Sequence, residues 1–455
     1  MTGSSPDVVV VGAGPAGIAA ALAAASSGAA VTLIDEGSRP GGQIWRRPAP
    51  ELDPAAAEPA AAVRELQRAP VRVLTDTVAW GADSERTLLL GGPDGSAQRL
   101  RPRAIVVATG GHDRPIALPG WTLPGVLTAG GAQALVKGQC VRPGARALVV
   151  GAGPFGLVAA LGLAGAGTEV VAVLEATTRR TLARHADRAA LHPERLLDLA
   201  RYRRALRRAG VPVLAGRGIV RVEGPDRVRG AILVRLDGDW RPMPGTERRL
   251  EVDCVCLAYG FVPAVDLAAA LGCEIRWDAR GQQRAVVVDR EQRTIAAGVF
   301  AAGEATGIGG AGLARAEGAV AGAAAAAEAG FGAGPSDAAR RARRRHRHLA
   351  ALLADAYAPR PGVWELAGED TVVCRCEGVT AGAVRAAAAA GAASPNELKR
   401  TTRVGMGPCQ GRMCAGLVAR LIAEVIGRPA AAGESFTVRP PLRPVPLRTL
   451  AALGR

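Results

Sequence analysis

The chain has 455 residues, of which 49% are hydrophobic and only 3% aromatic. This length is too great for one core and predicts about two to four domains of roughly 100–200 residues each. The net charge is +16, but nearly all of the positive charge is arginine and no nucleic-acid recognition motif accompanies it, so we expect no nucleic-acid partner.

The N-terminal region predicts neither a signal peptide nor a membrane span. The few residues before Val8 leave no room for a signal peptide ahead of the first apolar strand. The uncharged run from Val8 to Ile34 is rich in glycine and alanine, so we interpret it as a buried β-α-β unit. Eight cysteines in such a chain indicate a reducing compartment and metal ligation rather than disulfides.

The first predicted elements form a complete dinucleotide fingerprint. An apolar strand leads into Gly12-Ala13-Gly14-Pro15-Ala16-Gly17, then an alanine-rich helix and a second strand that ends at Asp35. The first glycine allows a tight turn, the second lets the backbone approach a pyrophosphate, and the third lets helix and strand pack closely. The helix N-terminus favours the anion, and Asp35 can bind a ribose diol. The sequence therefore predicts a nucleotide site.

The segment after this second strand predicts a flavin-type turn without a redox disulfide. Asp35 is followed by Glu36, and then by Gly42-Gln43 in a Gly-Gly turn where backbone can pass close to a flavin or its diphosphate. Disulfide reductases with a redox pair here carry Cys-x4-Cys just beyond the turn, and this chain does not. Ala108-Thr109-Gly110 then ends another apolar strand in a small-residue turn. We exclude disulfide reduction.

A second copy of the unit predicts a second nucleotide-binding domain inserted into the first. Its loop is Gly151-Ala152-Gly153-Pro154-Phe155-Gly156, and its second strand ends at Glu175. The carboxylate of Glu175 favours NAD over NADP, whereas Arg179 and Arg180 argue the other way. A retained fold with an empty site, or with a structural nucleotide, stays open as the alternative.

After this unit comes one more strand and turn and then a basic linker. The turn contains Gly303-Glu304 and opens an alanine-rich helix. Ser336 can N-cap the next helix, whose run from Arg340 to His348 we interpret as a solvated face rather than a surface for an acidic partner. The tail from Ser435 is rich in proline, which excludes a regular helix or a central strand.

Four cysteines near the C-terminus predict an iron–sulfur cluster. Cys374 and Cys376 form a Cys-x-Cys pair, and Cys409 and Cys414 form a Cys-x4-Cys pair. Together they make a set of four ligands for such a cluster. A structural zinc site is the competing interpretation, although its usual spacing is Cys-x-x-Cys. The remaining cysteines are interpreted as small buried hydrophobic residues: Cys140, Cys254, Cys256 and Cys273.

These motifs together resemble those of a known family. The matching segments are Gly12–Gly17, Pro40–Arg46, Ala108–Gly110, Leu257–Pro263 and Leu398–Cys414. They are similar to the α (A) subunits of multi-subunit flavin amine dehydrogenases, which include opine oxidases, D-hydroxyproline and proline dehydrogenases, and the B subunit of hydrogen cyanide synthase. The C-terminal part resembles the bacterioferritin-associated ferredoxin type of [2Fe-2S] domain.

The resemblance implies cofactors and partners. In complexes of this family a β subunit, which is similar to FAD amino-acid oxidases, oxidises the C–N bond, and the α subunit carries the electrons onward. The resemblance therefore implies FAD and [2Fe-2S] in this chain. Some members of the family also bind FMN at a subunit interface, and NAD or ATP are candidates for the second nucleotide site. The resemblance further implies a downstream electron acceptor and a small ferredoxin-like γ subunit.

One residue departs from the related flavoproteins, which usually have Gly-Asp where this chain has Gly303-Glu304. In those proteins the acid meets the flavin ribityl chain, and a glutamate would reach it from farther away. The resemblance does not identify the amine substrate, because the substrate-binding residues would lie in the partner subunit.

We therefore predict an α/β protein with two Rossmann-like dinucleotide-binding domains, the second inserted in the first, and a small α-rich C-terminal [2Fe-2S] module. The predicted bounds are residues 1–118 with 290–332 for the FAD-type domain, 119–289 for the inserted NAD-type domain, 333–367 for the basic helical linker, 368–432 for the [2Fe-2S] module and 433–455 for a proline-rich arm. We expect a cytoplasmic protein without a transmembrane segment, which is either cytosolic or peripheral to the inner membrane through its complex.

The leading functional hypothesis is an electron-transfer subunit without catalytic residues of its own, since no convincing acid–base pair or nucleophile is found. A self-sufficient NAD(P)H:acceptor reductase that loads its own cluster is the second hypothesis. A non-catalytic assembly subunit that holds a structural nucleotide and a structural metal is the third.

Overall fold

The computed structural model describes residues 5–49, 51–53, 60–83, 85–429 and 434–453. Its strands are β1 (Val8–Val11), β2 (Val31–Ile34), β3 (Val71–Leu74), β4 (Val78–Ala82), β5 (Leu88–Gly91), β6 (Ala97–Leu100), β7 (Ala104–Val107), β8 (Gly111–Asp113), β9 (Val126–Thr128), β10 (Arg146–Gly151), β11 (Glu169–Glu175), β12 (Val213–Ala215), β13 (Arg217–Glu223), β14 (Gly230–Arg235), β15 (Arg248–Leu250), β16 (Cys254–Ala258), β17 (Phe261–Pro263), β18 (Ile275–Asp278), β19 (Gln283–Val286), β20 (Val299–Ala301), β21 (Val372–Cys374) and β22 (Val379–Thr380).

The α-helices are α1 (Pro15–Ser26), α2 (Ala61–Arg68), α3 (Ala129–Gln133), α4 (Pro154–Gly165), α5 (Arg179–Ala183), α6 (Ala186–Ala190), α7 (Pro193–Arg208), α8 (Asp266–Ala270), α9 (Gly310–Glu328), α10 (Asp337–Tyr357), α11 (Pro361–Trp364), α12 (Ala381–Ala389), α13 (Pro395–Thr402), α14 (Ala415–Ile426) and α15 (Leu447–Ala452). A π-helical turn spans Ala134–Gly138, and a 3₁₀ turn spans Gly303–Thr306.

The first sheet has five parallel strands in the order β20-β7-β1-β2-β3. Strand β1 is apolar throughout because both faces of the sheet are covered. Val8 and Val10 pack into one apolar cluster with α1 and α9. Val9 and Val11 pack into another, together with Leu88 of the antiparallel sheet β4-β5-β6. The glycine-rich loop therefore leaves a strand fixed on both sides.

Helices α1 and α9 lie against each other almost backbone to backbone. A Cβ atom at Gly318 would lie 2.0 Å from the carbonyl oxygen of Ala16, and one at Gly322 would lie 2.1 Å from that of Ala20. This close approach fills the space between the two helices with small side chains, in agreement with the scarcity of aromatic residues in the sequence.

The second sheet has five parallel strands in the order β12-β11-β10-β16-β9. The chain enters this unit after β8 and leaves it through β17, and these two strands pair antiparallel. Strand β20 then returns to the first sheet beside β7. The predicted fold class, with one nucleotide-binding fold inserted in the other, is confirmed.

The C-terminal module is small and mostly helical, and it packs on the second sheet. Its hairpin β21-β22 is followed by α12, α13 and α14. Val418 and Leu421 of α14 share one apolar cluster with Leu148 and Leu174 of the second sheet. The indole N–H of Trp121 also donates to the carbonyl oxygen of Val372 at 2.6 Å. The module and the second fold therefore form one packed unit.

Helix α10 connects the flavin-type fold to this module. Its predicted N-cap is confirmed, since the Ser336 hydroxyl accepts a hydrogen bond from the Ala339 amide at 3.2 Å. The domain bounds given above stay predictions, and residues 1–4, 432–433 and 454–455 at their ends lie outside the described residues. None of the described helices is long and apolar enough to cross a membrane.

Two expectations were wrong. Cys140 is exposed rather than buried, because it lies on a surface loop just past the π-helical turn, with φ of 54°. The tail does contain a helix, α15, because no proline follows Pro446 and the chain can turn there. Cys254, Cys256 and Cys273 are buried as expected.

The two glycine loops predict opposite outcomes for one matched substitution. A Cβ atom at Gly17 would lie 1.6 Å from the Gly12 carbonyl oxygen, whereas one at Gly156 would meet nothing closer than 3.6 Å. We expect Gly17→Ala to lower the free energy of unfolding by more than about 3 kcal/mol. Gly156→Ala should leave it unchanged or raise it by up to about 1 kcal/mol, since alanine is the better helix former. Urea denaturation of both variants tests this difference, and equal effects would contradict it.

Candidate nucleotide and cluster sites

Three segments that the sequence analysis singled out converge at the first glycine loop. Gly12 has φ of +106°, and a Cβ atom there would lie 2.3 Å from the carbonyl oxygen of Ala108. A Cβ atom at Gly42 would lie 2.8 Å from Cα of Gly14. The loop, the Gly-Gly turn and the turn after β7 therefore enclose one site, and only glycine allows these approaches.

The carboxylate of Asp35 links the loop to the next turn. One of its oxygens accepts a hydrogen bond from the Ala13 amide, and the other accepts from the Gly37 amide at 2.7 Å. Burial raises the pKa of Asp35, and these two amides oppose that rise. Each carboxylate oxygen has a second lone pair, which leaves capacity for the hydroxyls of a ribose. Glu36 instead faces outward, 3.5 Å from Nε of Arg443.

The N-terminus of α1 is free to bind an anion. Its N-cap, Gly14, offers no side chain, and Pro15 follows at the first helical position. The amides of Ala16 and Gly17 therefore belong to the unsatisfied first turn, where the helix dipole favours negative charge. A Cβ atom at Gly303 would lie 2.7 Å from Cβ of Ala16, so the Gly303-Glu304 turn also reaches this site.

Thr109 and Gln43, two further residues predicted for this site, form hydrogen bonds with neighbouring residues. Thr109 donates a hydrogen bond from its hydroxyl to the Ala264 carbonyl oxygen at 2.7 Å, which ties the turn Ala108–Gly110 to the residue after β17. The side-chain oxygen of Gln43 accepts two hydrogen bonds from the Arg46 guanidinium, at 2.7 and 3.1 Å. Both side chains lie at the rim of the site.

The carboxylate of Glu304 faces the N-terminus of α9, the helix that follows its turn. The carboxylate accepts a hydrogen bond from the Gly310 amide at 2.9 Å, at the N-terminus of α9. Burial raises the pKa of Glu304 to about 7, against the opposing effect of the Gly310 and Gly309 amides. The longer side chain of glutamate permits this contact next to the predicted flavin position.

Glu317 supports the same turn and was missed in the sequence. Its fully buried carboxylate accepts hydrogen bonds from the Gly303 amide at 3.1 Å and the Thr306 hydroxyl at 2.8 Å. Nε of Arg343 lies 3.8 Å and Nε of Arg347 lies 3.5 Å from its other oxygen. An isolated acid inside an alanine-rich, buried helix was the available signal, because a buried carboxylate needs partners.

The second glycine loop repeats the acid contact but not the rest of the geometry. The Glu175 carboxylate accepts from the Gly153 amide at 2.9 Å and from the Thr177 amide at 2.8 Å, as Asp35 does in the first fold. A Cβ atom at Gly151 would lie 2.1 Å from the Ala258 carbonyl oxygen, but Gly156 meets no close backbone. Burial raises the pKa of Glu175.

The four C-terminal cysteines are brought together from two parts of the module. Cys374 ends β21 and Cys414 is the N-cap of α14, while Cys376 and Cys409 lie on the loops beside them. A Cβ atom at Gly407 would lie 2.1 Å from Cβ of Cys376, so the cysteine loops are in contact.

The thiols form two pairs. A hydrogen bond from Cys414 lowers the pKa of Cys374 to about 5, with the Gly405 amide acting in the same direction, and the pKa of Cys414 is raised in return. Cys376 and Cys409 share the other hydrogen bond. Among the described residues no three His, Cys, Asp or Glu side chains converge as the ligands of one ion do. A two-iron cluster uses four thiolates for two metals, and four cysteines are available at this place.

A cavity of about 330 Å³ separates the cluster loops from strands β8 and β17. At its edge Nε of Arg412 donates to Asp266 at 2.6 Å, and the Arg412 carbonyl oxygen lies 3.2 Å from Nε2 of His112. These contacts fix the cluster loops against the junction of the two nucleotide-binding folds.

Two guanidinium groups face this cavity, of which Arg114 is buried and Arg420 is partly buried. Arg114 donates to backbone carbonyls, but its buried Nε has no hydrogen-bond partner. Arg420 stacks 4.4 Å from the ring centre of Trp364 and 5.9 Å from that of Trp277. Burial lowers the pKa of each arginine to about 10. Neither has an ion-pair partner in the part of the chain that the structure describes, although Arg420 donates to the side-chain oxygen of Gln282, so both bring positive charge to the cavity wall.

Comparison with known proteins agrees with this architecture. Residues 6–330 match the family model for pyridine nucleotide-disulphide oxidoreductase, and residues 372–424 match the model for a BFD-like [2Fe-2S] binding domain. The chain thus has an FAD-type oxidoreductase fold and a [2Fe-2S] domain, which supports FAD and a [2Fe-2S] cluster as its cofactors.

Individual relatives match over nearly the full length. The chain is 36% identical to the A subunit of opine oxidase from Rhizobium meliloti (strain 1021), over 98% of each chain. It is 31% identical to the HcnB subunit of hydrogen cyanide synthase from Pseudomonas protegens, over 96% of each. The crystal structure of L-proline dehydrogenase from P. horikoshii has the same fold, with a TM-score of 0.72, 22% identity, and coverage of 98% of this chain and 79% of that one.

The cysteine assignment predicts a clear difference between two alanine variants. We expect Cys376→Ala to lose the cluster, because three thiolates cannot hold both irons as four do. Cys256→Ala, in the buried strand β16, should keep it. Iron content and the EPR spectrum of the reduced protein measure both. Full cluster occupancy in Cys376→Ala would remove this residue from the ligand set.

The raised pKa of the partly buried Glu304 carboxyl predicts a pH dependence of stability. Its pKa in the folded protein, about 7, exceeds its ordinary value of 4.5, so the folded state binds the proton more tightly. The free energy of unfolding should therefore fall as the pH rises from 4.5 to about 7 and then level off. Glu304→Gln should reduce this fall by roughly 2–3 kcal/mol.

Urea denaturation at several pH values between 5 and 8 tests the effect. Glu247→Gln is the matched control, since it removes an exposed carboxylate. Parallel curves for the wild type and Glu304→Gln would show that Glu304 is not the titrating group.

Proposed function

Since the chain belongs to the family of flavin oxidoreductase subunits that includes those of opine oxidase and hydrogen cyanide synthase, we propose that it is the electron-transfer subunit of a heteromeric amine or amino-acid dehydrogenase. Its donor would be of the opine, hydroxyproline/proline or glycine class and would be oxidised at a C–N bond. The relatives' names support this class, because both are named as subunits of larger enzymes and one of these enzymes is named for the oxidation of an opine.

One observation carries the proposal: the cysteine module is packed against the junction of the two nucleotide-binding folds. The Arg412–Asp266 ion pair and the contact of His112 with the Arg412 carbonyl fix this position. Bound FAD would supply two-electron chemistry, and a [2Fe-2S] cluster would pass those electrons singly. The chain's task is then to hold both groups at a fixed separation.

The residues of the first site would hold FAD by its phosphates and ribose. The free amides at the start of α1 would bind the pyrophosphate, and Gly42 would let the backbone approach it. Asp35 would accept the ribose hydroxyls while it keeps its two amide contacts. Cys374, Cys376, Cys409 and Cys414 would ligate the cluster.

The cavity beside the cluster loops is our candidate for an FMN site at a subunit interface. A phosphate would neutralise the charges of Arg114 and Arg420, and the gain would be larger at Arg114, because a buried charge without an ion-pair partner is costly. The rings of Trp277 and Trp364 offer surfaces on which a flat ring system can stack. A partner subunit would cover the open side of this cavity.

The proposed partners are a β subunit, which is similar to FAD amino-acid oxidases and performs the oxidation, a downstream acceptor and a small ferredoxin-like γ subunit. We propose a cytoplasmic complex that is either cytosolic or peripheral to the inner membrane. The self-sufficient NAD(P)H:acceptor reductase is less well supported, because relatives that match the chain over nearly its full length are named as subunits.

Anaerobic spectroscopy of the purified chain tests the proposed function. We expect flavin bands and a reduced [2Fe-2S] EPR signal that appears with dithionite but not with NADH, and no amine oxidation by the chain alone. Adding the β subunit with its substrate should then reduce the cluster. Bleaching by NADH would favour the self-sufficient reductase. A chain with zinc and no chromophore would end the electron-transfer proposal.

A further inference from the structure

The last residue of α10 covers the second glycine loop. The Tyr357 side chain approaches to 3.5 Å (Cγ) and 3.7 Å (Cβ and Cδ1) of the position that a Cβ atom would take at Gly153. Gly153 is the second glycine of the fingerprint, the one at which the backbone approaches a pyrophosphate. The tyrosine ring therefore occupies the space that the diphosphate of a dinucleotide needs.

The acid that would bind the ribose, Glu175, belongs to the same loop region. Burial raises the pKa of Tyr357, and the negative charge of Glu175 raises it further. Both Glu175 oxygens already accept amide hydrogen bonds, from Gly153 and Thr177. Tyr357 thus covers the phosphate position at Gly153, and the acid behind that position is already engaged by two amides.

The first fold provides an internal comparison, because nothing comparable covers its loop among the described residues. At Gly14, which corresponds to Gly153, the nearest atom to a Cβ position is Cα of Gly42, at 4.0 Å. The first loop is therefore open to a pyrophosphate, and the second is covered by an aromatic ring from another part of the chain.

Contacts along α10 hold Tyr357 in this place. Asp355 accepts from Arg188 at 2.6 Å and lies 2.9 Å from Nε of Arg280. About two helical turns before Asp355, Nδ1 of His348 lies 3.2 Å from Nε2 of His192. The contacts with Arg188 and His192 tie the C-terminal half of the helix to the second fold, and the contact with Arg280 ties it to the β18-β19 hairpin. The position of Tyr357 is therefore built into the packing.

Free space remains beyond the ring. A cavity of about 360 Å³ lies past the carboxyl ends of β11 and β12, bordered by Thr178, Arg179, Arg217 and Arg235. This is the end of a Rossmann fold where the adenosine half of a nucleotide lies. Neither Gly151 nor Gly153 borders it, so the cavity is separated from the loop.

We propose that Tyr357 closes the second nucleotide-binding fold, so that the resting protein takes no adenine dinucleotide there and the fold serves as a support for the cluster module. A nucleotide could enter only if the C-terminal end of α10 moved away. This inference does not rest on the proposed amine dehydrogenase function, since it concerns only the contacts of α10 with the second loop.

Calorimetric titration of the full chain, with FAD and cluster present, tests the closure with NAD⁺ and ATP as probes. We expect no binding to the wild type or to Tyr357→Phe, which keeps the ring. Tyr357→Ala should bind at least about tenfold more tightly than the detection limit that applies to the wild type. The reason is that the apparent affinity falls in proportion to the fraction of molecules that are open. The double variant Tyr357→Ala/Glu175→Ala should lose the gain.

Tyr357→Leu serves as a second opening variant, since it keeps an apolar side chain and removes the ring. Wild-type binding of either probe that Glu175→Ala abolishes would overturn the proposal, as would folded Ala and Leu variants without any gain. If neither variant yields folded flavoprotein, hydrogen exchange of the wild type decides. NAD⁺ that slows exchange at the Gly153 and Thr177 amides contradicts closure, and unchanged exchange supports it.

Discussion

The buried carboxylate of Glu317 is the interaction on which the arrangement of the domains depends. Burying a carboxylate costs several kcal/mol unless it is well paired. Here the Gly303 amide and the Thr306 hydroxyl bind one oxygen, and the guanidinium groups of Arg343 and Arg347 face the other. The turn beside the predicted flavin and the linker helix are thereby tied to one charge, and the position of α10 over the second fold follows.

The two nucleotide-binding folds share a fingerprint and differ in their surroundings. Each has an acid that accepts two loop amides, Asp35 in the first and Glu175 in the second. The first loop is enclosed by glycine turns that leave its helix N-terminus free, whereas the second is covered by Tyr357. One fold thus keeps the features of a cofactor site, and the other has become an attachment surface for the linker and the cluster module.

Much of this could be predicted from the sequence because its signals are local. A strand, glycine loop and acid within one short stretch predicted each nucleotide fold, and Ser336 predicted the start of α10. The four cysteines predicted the cluster by spacing alone. The partners of Glu317, the exposure of Cys140 and the ring of Tyr357 over Gly153 could not be predicted, because they depend on which distant elements meet and no local pattern encodes this.

The contact between α1 and α9 has a thermodynamic consequence. Alanine and glycine side chains have no rotamers to lose on burial, so the pair becomes ordered at little side-chain entropy cost. Each buried residue also removes little apolar surface from water. Since the heat capacity change of unfolding follows the exposed apolar area, this part of the core contributes little curvature to the stability of the protein as temperature changes.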